Sequence, residues 1–310
     1  MILYYAVGGG LGHLTRARSF LHAAGAERDA VVLTASPFAT DTRVMGKVAT
    51  LLVPAELRAD GTEYRTWIRK QVSRIEPTTM VLDTFPAGLF HELDGFAPWC
   101  DVEYVARYLR WPQYTPIRKP MRFSRSWVVE PLHAEQERFV VQRSAIVDRR
   151  PTLIDPPDEQ LHAAADIPSS YSLVIHSGAE EEVDELIRYA EGLREGSRGT
   201  EAIVVAARLP STRPGVLSVD AFPALTLARN AVRIITAAGF NAMRQFGGDP
   251  RHHALPFPRR FDDQFLRASR WRVGTPAPAG DFDFRLAART FERQRLRDSR
   301  RLEAGVTKAE

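Results

Sequence analysis

Cysteine is almost missing: Cys100 is the single one in 310 residues, which excludes an internal disulfide and a cysteine-based metal site. That usage fits a reducing compartment, and a cytoplasmic location is the expectation. Nothing approaches the roughly 18 consecutive apolar residues that a membrane span requires. Met1 to Val7 is a short apolar run with no basic leader. It meets glycines where a cleavage site would be expected, so it reads as structure and not as a signal peptide. Low-complexity tracts and internal repeats are lacking too. Lysine is scarce beside arginine, and no function is drawn from that.

What is present is ordinary in bulk. Apolar residues make up 44% and charged residues 26%, close to soluble globular averages, so the chain has the material for a sizeable core. Its length suits two domains. The net charge of +4 is unevenly spread, with Arg285, Arg289, Arg293, Arg295, Arg297, Arg300 and Arg301 crowding the end against only Glu292, Asp298 and Glu303. A basic terminal helix binds phosphate or anionic lipid in some proteins, which leaves peripheral membrane contact open. More often it is a solvated face. Aromatic interleaving and a recognisable nucleic-acid motif are missing, so a phosphate- or nucleic-acid-binding regulator ranks last among the readings.

Short apolar runs alternate with longer amphipathic ones. Strands are expected at 2–7, 30–34, 50–54, 80–83, 102–105 and 127–130, with helices at 13–24, 63–75 and, opened by Pro86, 86–93. The stretch 148–172 carries Pro151, Pro156, Pro157 and Pro168 and reads as a linker. Alternation then resumes: strands at 172–176, 202–206, 232–236 and 253–256, an acidic helix at 180–193, a short helix after Ala221, and another at 240–246. The expected organisation is α/β, with a first domain at 1–155, a second at 156–285, and a last helix at 286–310. Two such halves, built of βαβ units, place ligands at the carboxyl ends of their strands.

The motifs fall in those strand-to-helix loops. Gly8-Gly9-Gly10-Leu11-Gly12-His13 follows the first strand. Glycines there permit positive φ and close approach of a ligand to the backbone, and the helix start offers free N–H groups to an anion. A dinucleotide fingerprint would need Gly or Ala at position 13 and a strand-end acid at the usual distance further on, and neither is found. His13 sits in the first helical turn, where the helix N-terminus lowers an imidazole's pKa. A neutral histidine suits a general base acting on a sugar hydroxyl; a cap or phosphate donor is the bland alternative. Arg16, one turn on, faces either an acceptor or solvent. In the second half Ser177-Gly178 is the matching turn, and Thr236-Ala237-Ala238-Gly239-Phe240-Asn241 is a fuller strand, glycine turn and helix. Its N–H groups and Asn241 suit a diphosphate. Phe261-Asp262-Asp263-Gln264, after Leu255-Pro256-Phe257-Pro258, suits vicinal sugar hydroxyls or, read alone, a polar helix start.

The Gly-Gly-Gly-Leu-Gly-His opening, together with Ala-Ala-Gly-Phe-Asn and the later Pro-Phe-Pro and Asp-Asp-Gln, resembles GT-B glycosyltransferases related to the peptidoglycan GlcNAc transferase. The resemblance covers about a third of the chain, at the two ends of the cleft. It implies two Rossmann-like domains whose parallel sheets face each other across that cleft, and a last helix that crosses back, for which 284–302 is the candidate. It implies that a sugar moves from a nucleotide-diphosphate donor, UDP-sugar favoured, to an acceptor hydroxyl. His13 would be the base, and Gly10 and Gly12 would shape the acceptor-side loop with Arg16. Gly178, Gly239, Phe240 and Asn241 would lie along the donor, with Asp263 and Gln264 on the sugar hydroxyls. Gln245 stands where the family places a ribose-binding Glu, and an amide binds a diol more weakly than a carboxylate, which leaves the donor's identity open; the acceptor is the least legible element. No Asp-x-Asp pair ends a strand, since Asp281-Phe282-Asp283 lies in the tail, so no metal and no cofactor beyond the co-substrate is expected. Gly12, His13 and Arg16 also resemble the opening of nucleotide-sugar hydrolases in sialic-acid-like pathways. Hydrolysis, or epimerisation on the same fold, is the runner-up.

Overall fold

The computed structural model describes residues 1–59, 61–149, 151–157, 167–197, 199–207 and 213–272. The expected terminal helix, its arginines and Asp281-Phe282-Asp283 lie outside the described residues.

The first half contains β1 (Ile2–Ala6), α1 (Leu11–Ala23), β2 (Ala30–Thr34), α2 (Thr42–Met45), β3 (Ala49–Leu52), α3 (Gly61–Ile75), β4 (Thr79–Asp83), β5 (Asp101–Ala106), α4 (Trp111–Tyr114), β6 (Phe123–Val128), α5 (Ala134–Arg143) and β7 (Ser144–Arg149). The second contains β8 (Tyr171–His176), α6 (Glu180–Gly196), β9 (Ala202–Ala207), β10 (Val216–Val219), α7 (Leu225–Asn230), β11 (Arg233–Ala237), α8 (Phe240–Phe246), β12 (His252–Leu255) and α9 (Gln264–Arg272). The strands form two parallel sheets, ordered β3-β2-β1-β4-β5-β6-β7 and β10-β9-β8-β11-β12.

Both sheets are covered on two faces, which is why their central strands read as continuous apolar runs and not as alternation. In β1, Ile2, Tyr4 and Ala6 pack with Leu14, Phe20 and Leu21 of α1. Leu3 and Tyr5 point the other way, onto Ile68 and Val72 of α3. The second sheet repeats the scheme, with Val174 against Leu186 and Ile187 of α6 and Tyr171 and Leu173 against Ala228 of α7.

The order of each sheet reverses beside its first strand, between β1 and β4 and between β8 and β11. Those reversals open the crevice in which open α/β sheets hold ligands.

Two expectations need correcting. Pro86 opens no helix: 85–96 is a chain of turns, with Gly88 at φ 84 and His91 at φ 60. The buried Glu92 carboxylate, accepting from the Leu89 and Phe90 amides, offers that backbone a partner the helix would otherwise supply. The connector is also shorter than 148–172, because Asp148 and Arg149 belong to β7, and Tyr171 and Ser172 to β8. α2, α4, α5, β7 and β10 were not anticipated.

Candidate active site

A cleft of about 970 Å³ runs between the two sheets. Its walls include Gly10, Gly12, His13 and Arg16 from the first half and His176, Gly178, Gly239, Phe240, Asn241, Gln245 and Gln264 from the second. Every residue expected at the site therefore lines one space except Asp263.

His13 projects from the first turn of α1 and meets Asp83, the last residue of β4, across the first reversal point. His13 Nδ1 lies 2.5 Å from Asp83 Oδ2. Arg16 binds the same carboxylate with Nε at 2.6 Å and Nη2 at 2.6 Å, and Tyr4 donates from its hydroxyl at 3.2 Å. Burial works to raise the Asp83 carboxyl, but Arg16 and then His13 overcome it and hold it well below the usual carboxylate range. An ionised carboxylate only accepts, so His13 Nδ1–H must donate and Nε2 carries the lone pair. That is the tautomer a base requires.

Burial lowers the His13 pKa most, with the bond to Asp83 opposing it. The ring stacks on Phe85 at 5.9 Å. A Cβ on Gly8 would sit 2.3 Å from His13 Cδ2, so the glycine that matters here makes room for the ring. Positive φ plays no part in this loop, since among the described residues the glycines with φ > 0 are Gly25, Gly46, Gly88, Gly95 and Gly215. Arg16 is only 3% exposed. Its place is behind Asp83 and Thr84, to whose hydroxyl it donates at 2.7 Å.

On the opposite wall Gly239 precedes α8, whose first turn carries no acid. Asn241 donates from Nδ2 to the Gly12 carbonyl at 2.8 Å, so it clasps the two halves together. Gln245 donates to Asp155 Oδ2 at 3.1 Å, and Asp155 also accepts from Arg244 and Ser19, both at 2.5 Å. Gly178 opens differently. The first turn of α6 bears Glu180, Glu181 and Glu182, and a Cβ on Gly178 would lie 2.4 Å from His176 Nε2. Asp263, expected on the sugar hydroxyls, caps α9 by accepting from the Leu266 amide at 2.9 Å; its neighbour Asp262 lines the cleft. Gln264 is buried and accepts from the Phe257 amide at 3.0 Å.

Asp262 anchors a buried ion network between the halves. It pairs with Arg107, just past β5, at 2.9 Å and with Arg267 of α9 at 2.6 Å, and Arg267 also binds Glu130, past β6, through both oxygens at 2.9 Å. Sequence reasoning missed this network, the Asp83 partner of His13, and a cluster of His176, Glu182 and Arg259. The available signal was a titratable residue at the very end of an apolar strand, as at Asp83 and His176.

Among the described residues no group of three or more His, Cys, Asp or Glu side chains is placed to hold a metal, and no helix is long and apolar enough to cross a membrane.

No family model and no curated protein matches the chain. Solved structures do. The glycotransferase of kitacinnamycin is 12% identical with a TM-score of 0.55, over 88% of this chain and 84% of that one. SsfS6 of Streptomyces sp. SF2575, a glycosyltransferase complexed with thymidine diphosphate, is 13% identical with a TM-score of 0.53, over 88% and 85%. S. aureus MnaA with UDP is 10% identical with a TM-score of 0.50, over 79% and 76%. At such identities the likeness shows architecture, and that architecture is the GT-B fold: two Rossmann-like parallel sheets facing each other across a cleft.

Proposed function

We propose that this chain is a GT-B glycosyltransferase that moves a sugar from a nucleoside-diphosphate donor, UDP-sugar first among candidates, to an acceptor hydroxyl. The observation that carries the reading is the His13–Asp83 pair, with its tautomer fixed, in the same cleft as the glycine turn at Gly239. His13 Nε2 takes the hydroxyl proton as the acceptor oxygen attacks the anomeric carbon, and the bond from that carbon to the diphosphate oxygen breaks. Asp83 holds the ring and stabilises the imidazolium that forms.

The leaving diphosphate rests on the backbone N–H groups after Gly239. Arg260, which lines the cleft and makes no ion pair among the described residues, supplies further positive charge. Gln264 and Asp262 lie within reach of the sugar hydroxyls. The SsfS6 and MnaA structures, with thymidine diphosphate and UDP respectively, support a nucleotide in this cleft. The reaction is proposed to need no metal, and turnover that disappears with chelator and returns with a divalent ion would overturn that part.

One observation favours water as the acceptor, which would make the enzyme a nucleotide-sugar hydrolase. Phe85, stacked on His13, packs edge-on to Phe261 at 5.7 Å and against Tyr114 at 5.5 Å, so the space beside the base is walled. The experiment that separates the readings is a thermal-shift screen with UDP, dTDP and GDP, followed by turnover with and without acceptors. Transfer requires a nucleotide that raises the melting temperature and sugar release that speeds up with an acceptor. Equal rates without one favour hydrolysis, and no nucleotide response rejects both.

A further inference from the structure

We propose that His176 is a phosphate ligand of the second sheet that binds the donor's diphosphate as an imidazolium, so that nucleotide binding takes up a proton. The proposal rests on the donor reading above.

The second sheet mirrors the first. His176 ends β8, beside the β8–β11 reversal, as His13 and Asp83 flank the β1–β4 reversal. Ile175 is in register with Thr236, which sets His176 level with Ala237 on a strand about 4.8 Å away, just before the Gly239 turn. The side chain is only 9% exposed yet lines the cleft.

Its orientation is fixed. Nε2 lies 2.7 Å from Glu182 Oε2, and the ring packs on Phe257 at 5.9 Å. Glu182 is itself ionised, since Arg259 binds both its oxygens, at 2.5 Å and 2.6 Å. The carboxylate only accepts, so Nε2–H donates to it. Nδ1, with no hydrogen-bond partner among the described residues, is the ring's remaining polar atom.

In the neutral ring Nδ1 is a bare lone pair, which repels a phosphate oxygen. Protonation turns it into a donor carrying positive charge, which a phosphate oxygen accepts strongly. The charged groups that face the ring are Glu182 from α6 and Arg259 from the loop after β12; Phe257 is neutral. Glu182 and Arg259 nearly cancel, so the proton decides whether this wall attracts an anion.

Burial lowers the free His176 pKa, with Glu182 opposing and Arg259 adding to the fall, so the empty site holds a neutral ring near pH 7. A bound diphosphate raises that value. Between the two values binding takes up a proton, and affinity falls as pH rises through the upper one.

Calorimetric titration with UDP near pH 7.5, in buffers of differing ionisation enthalpy, tests this. Wild type and His13→Gln should both take up a proton. His176→Gln should take up none, bind UDP about 10-fold more weakly near pH 6.5, and come within about 2-fold of wild type near pH 9, the loss of one charge-assisted hydrogen bond. Should that variant fail to fold, Glu182→Gln should move the uptake to lower pH, because it removes the anion that favours the imidazolium. UDP binding without proton uptake in wild type, uptake surviving in His176→Gln, or uptake unmoved in Glu182→Gln overturns the proposal alone. A protein that binds no nucleoside diphosphate overturns the donor reading and this proposal together.

Discussion

Asp83 receives hydrogen bonds from Tyr4, His13 and Arg16, so changes on the two sides of it should separate. His13→Ala leaves Arg16 and Asp83 paired. It should keep the fold and the nucleotide affinity while turnover drops by about 10²–10⁴-fold, the usual worth of a positioned base. Asp83→Asn removes the carboxylate that fixes the tautomer and leaves Arg16 buried without its anion. Turnover should fall comparably, and denaturant unfolding should show a loss of roughly 3 kcal/mol. Since the base acts when deprotonated and burial lowers its pKa, kcat/KM should rise with pH along an acid limb below the ordinary histidine value of about 6.5, then stay flat through neutrality. An acid limb centred well above 7 would contradict the assignment. His13 was legible because it opens a helix directly after a glycine-broken strand end, off any apolar stripe. Asp83 was legible only as a strand end level with the acceptor side; its pairing with His13 was not, because only the sheet order brings residue 83 beside residue 13.

At the scale of elements, the glycine turns position side chains more than they bend the backbone. Gly8→Ala would press a methyl into the His13 ring and should cost about 1–3 kcal/mol of stability. It should also reduce kcat by loosening the bond to Asp83, without weakening UDP binding measured by titration. The strands and helices that were legible are those with strong local pattern. The runs 30–34 and 240–246 match β2 and α8 residue for residue. The stretch 85–96 misled because Pro86 is a helix-start signal, whereas the buried Glu92, held by Tyr5 from β1 and by local amides, decides the backbone there. β10 and β7 escaped notice because edge strands, half-buried, carry few of the fully apolar residues that mark central ones.

For the whole molecule, Arg267 joins the halves. It is 6% exposed and lies between Glu130 of the first half and Asp262 of the second. Arg267→Met leaves both carboxylates buried without it, so the melting temperature should drop by several degrees. KM for the donor should rise as the halves lose register, while an unchanged KM would mean that the network only supports the fold. A two-sheet architecture was readable from alternation alone, but the contacts across the cleft were not, because they join residues far apart in the chain, such as Gly12 with Asn241 and Glu130 with Arg267, and leave no local pattern. The central claim is that His13 serves as base in a cleft that holds a nucleotide sugar. Release of nucleoside diphosphate from a saturating nucleotide sugar, compared between wild type and His13→Ala, tests it most directly. The variant, still stabilised against heat by the nucleotide, should be at least about 100-fold slower. Equal rates in the two proteins would contradict it.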